Sequence, residues 1–157
     1  MLTELLNAMM LAELLYDKTV TSMRQLSFTH QRDNQKAAIR ILHVDDEPDS
    51  REVVELSLSL EPDLLTRSCG SGREALAIAA DWKPDLVLLD LIMPQMGGMT
   101  TLSRLRSRAS SSPPIVFMTA FREAEEIDLE LVGAAGVIFK PFDPMTLAGT
   151  VRNYLPN

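Results

Sequence analysis

Short apolar runs, each closed by a polar or charged residue, constrain this chain more than any other feature. Residues 39–44, 86–89, 115–118 and 137–139 are such runs, and 64–68 is a more mixed strand candidate. The runs are continuous rather than alternating. That pattern means burial on both faces, which is the mark of a parallel sheet. Segments of helical character lie between and after them. Residues 48–60 show helical spacing at Val53, Leu56 and Leu60, with Pro48 and Asp49 near the start. Residues 71–80 open with Ser71 as N-cap and Glu74 at the capping-box spacing. Residues 98–108, an acidic stretch at 123–132 and residues 143–155, capped by Asp143, complete the series. Five β–α units predict an α/β fold, an open doubly wound sheet. Ligands of such sheets bind beyond the carboxyl ends of the strands.

The strand ends hold the reactive groups. Asp45 and Asp46 follow the first strand, Asp90 the third, Thr119 the fourth and Lys140 the fifth. A parallel sheet brings these ends to one edge. Three carboxylates gathered there repel one another, and a hard cation with oxygen ligands relieves that repulsion. Mg²⁺ suits one or two carboxylates plus a phosphate. Lys140 adds a mobile point charge for a phosphoryl oxygen, and Thr119 adds a hydroxyl. Together they predict a site for phosphoryl transfer onto Asp90.

Composition removes most other classes. Four basic and four acidic residues lie in 1–38, so the whole net charge of -7 falls on 39–157. An acidic domain repels phosphate backbones, which argues against nucleic-acid binding. One cysteine, Cys69, excludes an internal disulfide and a thiolate zinc site. Two histidines, His30 and His43, leave no His cluster and no evident Ser-His-Asp set. No apolar run reaches the ~20 residues of a membrane span. A secretory signal is not evident either, so a cytoplasmic location is expected. His43 is expected to be a neutral, hydrogen-bonded core histidine. Cys69 is expected to be a small buried residue, Trp82 a packing residue, and Arg104, Arg106 and Arg108 a solvated helix face.

The motifs I-L-H-V-D-D-E at 41–47, L-V-L-L-D-L-I-M-P-Q-M-G-G at 86–98, I-V-F-M-T-A at 115–120 and F-K-P-F at 139–142 carry a family resemblance. Residues 39–157 resemble the receiver domain of bacterial two-component response regulators. The resemblance implies a flavodoxin-like five-stranded parallel sheet in the order 2-1-3-4-5. It implies Asp90 as phosphoacceptor, Asp46 as direct Mg²⁺ ligand, Asp45 as helper through water, and the Ile92 backbone carbonyl as a further ligand. Thr119 matches the hydroxyl that moves to the phosphoryl group, and Lys140 the lysine that contacts it. Pro141 matches a proline with a cis bond, and Pro94 and Gly98 shape the loop after Asp90. The donor would be a phosphohistidine on a histidine kinase or a histidine phosphotransfer protein. The protein would act as a phosphoacceptor, not an enzyme.

Two departures from the family pattern bear on signalling. Val137 stands where the family often has the Tyr or Phe that swings with the threonine, so the signal is expected to pass through backbone and helix shifts near 120–140. Ile92 and Phe121 flank the site where the family tunes water access. Bulky apolar groups there predict slow autodephosphorylation.

No output domain is expected after residue 157, so the chain reads as a stand-alone regulator that switches an unknown downstream protein. The alternative is a phosphorelay intermediate or phosphate sink. A hydrolase with an aspartyl intermediate lacks its D-x-D pattern, because Ile92 stands at the second acid. Residues 1–38 read as a helical extension and linker preceding the receiver at 39–157. Residues 1–16 form a helix ringed by Leu and Met, which needs a cover. A homodimer through this helix, or packing back on its own receiver, would supply one. Its lack of basic residues argues against a membrane.

Overall fold

The computed structural model describes residues 38–156 apart from 109–111, 123, 125 and 126. The expected N-terminal helix, and any dimer built on it, lie outside the described residues. The elements are β1 (Ile39–Val44), α1 (Pro48–Ser59), β2 (Leu64–Cys69), α2 (Gly72–Trp82) and β3 (Leu86–Leu89). They continue with α3 (Gly98–Arg108), β4 (Ile115–Thr119), α4 (Leu129–Val132), β5 (Gly136–Phe139) and α5 (Leu147–Arg152). All strand pairs are parallel, in the order β2-β1-β3-β4-β5. The expected strand order and the alternation of strands and helices are both present. No helix among the described residues is long and apolar enough to cross a membrane.

Strand composition follows position in the sheet. Every residue of β3 and β4 is buried, and both are interior strands covered on two faces. Edge strand β2 alternates instead and tolerates Thr66, Arg67 and Ser68. One core layer joins Leu42, Val44, Val87, Leu89, Ile115 and Phe117 of the sheet to Ala75, Leu76, Leu102 and Leu105 of α2 and α3. The opposite layer joins Ile41, Leu88, Val116 and Met118 to Val54 and Leu58 of α1 and Leu147 and Val151 of α5.

Helix starts follow the capping chemistry in part. Ser71 Oγ accepts from the Glu74 N–H at 3.3 Å, while Glu74 reaches back one residue further, to the Gly70 N–H at 3.1 Å. In α1 the apolar spacing found the helix but not its inner face. Val53, Leu56 and Leu60 are exposed, whereas Val54, Ser57 and Leu58 are buried. The inner face uses fewer and smaller apolar groups than the outer one.

Two helices are shorter than the sequence suggests. The described part of 123–132 holds a regular α-helix only over α4. The Asp128 carboxylate caps it by accepting from the Leu131 N–H at 3.0 Å, and Gly133, at φ 77, ends it. The α-helix of 143–155 spans only α5. Asp143 accepts from the Met145 N–H at 2.9 Å, so it starts a turn before the helix rather than capping the helix itself.

The two faces of α1 should respond differently to truncation. Leu58→Ala should cost about 2–5 kcal/mol and Leu56→Ala no more than about 0.5 kcal/mol, read from urea midpoints. Equal losses would show that the outer stripe is packed after all.

Candidate functional site

The sheet holds the reactive residues by its own hydrogen bonding. Val44 and Leu89 are partners in the β1–β3 register, so Asp45 and Asp90 follow at one level. The ladder runs one residue past the strand ends. The Asp45 N–H donates to Cys69 O at 3.1 Å, the Asp90 N–H to Val44 O at 2.8 Å and the Lys140 N–H to Thr119 O at 2.9 Å. Backbone that is still paired cannot swing, and this fixes where the side chains emerge. Gly98 serves the same end. A Cβ there would stand 2.4 Å from Asp90 O and 2.7 Å from Leu91 Cα, so only glycine lets α3 start this close to the end of β3.

Carboxylate oxygens of Asp45, Asp46 and Asp90 lie within 4.8 Å of one another. The Lys140 ammonium is hydrogen-bonded to Asp45 Oδ2 and stands 3.6 Å from Asp90 Oδ2. Ser50 Oγ also donates to Asp45 Oδ2, at 2.6 Å, and the Glu47 N–H donates to Oδ1 at 2.9 Å. Arg51 donates to the Asp45 carbonyl at 2.7 Å. Ser50 and Arg51 escaped the sequence reading. Their only signal was position, in the first turns of the helix that follows Asp45.

Environment separates the two inner carboxyl groups. Burial alone would push Asp45 up, but donation from Lys140, Ser50 and the Glu47 N–H outweighs it and holds the carboxyl below its ordinary range. Burial pushes Asp90 up, opposed chiefly by the Lys140 ammonium. Its Oδ1 accepts from the Ile92 N–H at 3.2 Å. Thr119 is buried, and its Oγ accepts from the Phe121 N–H at 3.2 Å. A cleft of about 520 Å³ opens over Asp90, lined among others by Asp46, Ile92, Thr119, Phe121 and Lys140. The Lys140–Pro141 peptide bond is cis.

The other singled-out residues resolve as follows. Cys69 is buried and its thiol is pushed up to about 11, chiefly by burial. Trp82 packs against the core, with the Arg67 guanidinium 4.7 Å from its ring centre. Arg104, Arg106 and Arg108 are exposed, and Arg106 donates to Gly133 O. Val137 is half-buried. His43 is fully buried, and burial lowers it to about 4, so it is neutral as expected. It is not hydrogen-bonded as expected, because neither ring nitrogen has a partner among the described residues. The residues flanking it on β1 are apolar.

A parallel doubly wound sheet whose carboxyl edge gathers three acids, a hydroxyl and a lysine defines the class. The profile of the response regulator receiver domain matches residues 41–152, and the chain belongs to that family. Among curated relatives, it is 40% identical over 114 residues to the DNA-binding response regulator MtrA of Mycolicibacterium smegmatis, a match covering 72% of this chain and 49% of MtrA. It is 38% identical over 105 residues to the regulatory protein AtoC of Escherichia coli, covering 66% of this chain and 22% of AtoC. The chain thus spans half or less of the length of these two relatives. Among solved structures, the chemotaxis protein CheY4 of Vibrio cholerae aligns at a TM-score of 0.66 and 32% identity, over 76% of this chain and 100% of CheY4. The response regulator TrrA of Thermotoga maritima, solved with Mg²⁺ and BeF, aligns at 0.66 and 31%, over 74% of this chain and 99% of TrrA.

The Lys140–Asp45 pair gives a stability test. Lys140→Met leaves a buried carboxylate without its ammonium and should cost about 3 kcal/mol at pH 7 in a chelator-containing buffer. Lys140 stabilises only the ionised form of Asp45. The gap between wild type and variant should therefore narrow as the pH falls to about 4 and below, where acid protonates that group. A gap independent of pH would assign the loss to packing.

Proposed function

We propose that this protein is a phosphorylation-controlled binding switch of two-component signalling. In this reading Asp90 accepts a phosphoryl group from a phosphohistidine on a histidine kinase or phosphotransfer protein. One observation carries it: three carboxylates converge within 4.8 Å at the sheet's carboxyl edge, with the Lys140 ammonium between Asp45 and Asp90. Asp45, Asp46, Asp90 and the Ile92 carbonyl would hold Mg²⁺. The acid-rich oxygen donor set suits that ion. When bound, Mg²⁺ neutralises the crowded carboxylates and draws charge from the transferring group.

Asp90 supplies the nucleophile. Its Oδ1 is tied to the Ile92 N–H, which leaves Oδ2 toward Lys140. A carboxylate oxygen bonds to phosphorus as the phosphorus–nitrogen bond to the donor imidazole breaks. Lys140 turns to the new phosphoryl oxygens, and the Thr119 hydroxyl donates to one of them. The protein is then a stoichiometric phosphoacceptor rather than an enzyme with turnover.

Ile92 and Phe121 favour the switch over a relay or sink. Both line the cleft and remain 61% and 40% exposed, so their apolar surface stands where hydrolytic water must enter. A long-lived phosphoryl group can hold a partner, whereas a relay must pass it on quickly.

Intact-mass analysis after incubation with acetyl phosphate and Mg²⁺ should show one added phosphoryl group, absent in Asp90→Asn. No mass gain in wild type, or an undiminished gain in Asp90→Asn, would defeat the assignment. The adduct should decay over many minutes or longer, and a lifetime of seconds would favour the relay or sink. Mg²⁺ should raise the Tm of wild type by a few degrees through preferential binding to the folded state. That rise should vanish in Asp46→Asn. An equal rise in both would remove Asp46 from the ligand set.

A further inference from the structure

His43 is a polar interruption in a buried strand. It lies on the face of β1 that Ile41 also occupies, and Ile41 packs with Val54 and Leu58 of α1. Neither ring nitrogen is hydrogen-bonded, and Nε2 lies 3.7 Å from Asp45 Oδ2. Directly across the β1–β2 ladder stands Ser68, whose hydroxyl is likewise buried and unpartnered. In-register residues of a parallel pair share a sheet face, so the imidazole and the hydroxyl are neighbours beneath α1. An aliphatic side chain would occupy this place without the penalty of an unpaired polar group.

Asp45 gives the imidazole a use. Its Oδ2 is buried and now accepts from Ser50 and Lys140. A phosphoryl group on Asp90 draws Lys140 away, since the ammonium already lies 3.6 Å from Asp90 Oδ2. Asp45 Oδ2 then loses its charged donor, and Ser50 is left donating to it. We propose that His43 is a positioning residue for the phosphorylated state: its neutral ring donates Nε2–H to Asp45 Oδ2 when Lys140 turns to the phosphoryl group, while the Ser68 hydroxyl donates to Nδ1. This rests on the reading of Asp90 as phosphoacceptor. A movement of about 0.8 Å brings Nε2 to hydrogen-bonding distance. An imidazole carrying one proton has one N–H to donate and one nitrogen to accept.

The test uses the full chain and two variants. His43→Leu removes the donor, and His43→Gln keeps an amide donor near the Nε2 position. Phosphoryl uptake from acetyl phosphate with Mg²⁺ should slow about fivefold in His43→Leu and return to within about twofold of wild type in His43→Gln. The Tm of His43→Leu should equal or exceed that of wild type, because an unpaired buried group has gone. In ¹⁵N-labelled wild type, beryllofluoride with Mg²⁺ should move the His43 Nε2–H proton resonance downfield. His30 is the only other histidine, and His43→Gln identifies the signal. Wild-type uptake in His43→Leu, equal losses in both variants, or an unmoved imidazole signal would overturn the proposal. If wild type takes up no phosphoryl group, the phosphoacceptor reading fails first and this proposal falls with it.

Discussion

Mutual repulsion among Asp45, Asp46 and Asp90 is the constraint on which the site is built. Two unit charges about 4 Å apart at an effective dielectric near 20 repel by roughly 4 kcal/mol. Three such groups cannot gather without compensation. Lys140 supplies one positive charge from the far end of the sheet, two strands away from Asp90 in the order β3-β4-β5. The ladder bonds that run past the strand ends keep Asp45, Asp90 and Lys140 from moving apart. The apolar strands and the two core layers therefore do more than stabilise. They hold like charges at a separation that free side chains would not choose.

The same edge places two buried carboxyl groups in different chemical states. Asp45 has three donors, Glu47, Ser50 and Lys140, and it is held charged. Asp90 has the Ile92 N–H on one oxygen, the more distant ammonium near the other, and the Thr119 hydroxyl beside the carboxyl. A carboxylate that accepts three hydrogen bonds makes a good electrostatic anchor and a poor nucleophile. One with an oxygen left open toward a cleft suits bond formation. This division of labour arises from hydrogen bonding rather than residue type. It also explains why the identity of the reacting aspartate cannot be read from the D-D pair alone.

Most of the sheet and the convergence of the site residues were legible in the sequence, because both follow from burial on two faces. A strand covered twice must be apolar throughout, so β3 and β4 could be located almost to the residue. Polar groups that close such strands must then meet at one edge. Helix faces were less legible. The spacing of Val53, Leu56 and Leu60 marked α1 correctly yet lies on its outer face, since periodicity shows that a stripe exists and not which way it points. The α5 helix was overestimated because Asp143 forms a turn before it rather than its cap, and α4 starts only at its cap, Asp128. The unpartnered ring of His43 had no sequence signal. Its expected hydrogen bond depended on neighbours brought in by β2 and α1, which no local pattern reports.

Val137 alters how a change at the site could travel. Val137 is a half-buried aliphatic residue packed against the core, with no ring to swing between pockets. The backbone between Thr119 and Lys140 remains, joined to the site at both ends. Within it α4 is a single turn with no buried residue, bounded by Asp128 and Gly133 and held to α3 by Arg106 on the Gly133 carbonyl. Elements with few buried contacts open at lower free energy than the core around them. A pull on Thr119 and Lys140 of the kind the proposed phosphoryl group would exert is therefore resisted by β4 and β5, which are paired along their length. The yielding part is α4, which has no buried residue. Leu131, 83% exposed, is the apolar surface that α4 presents.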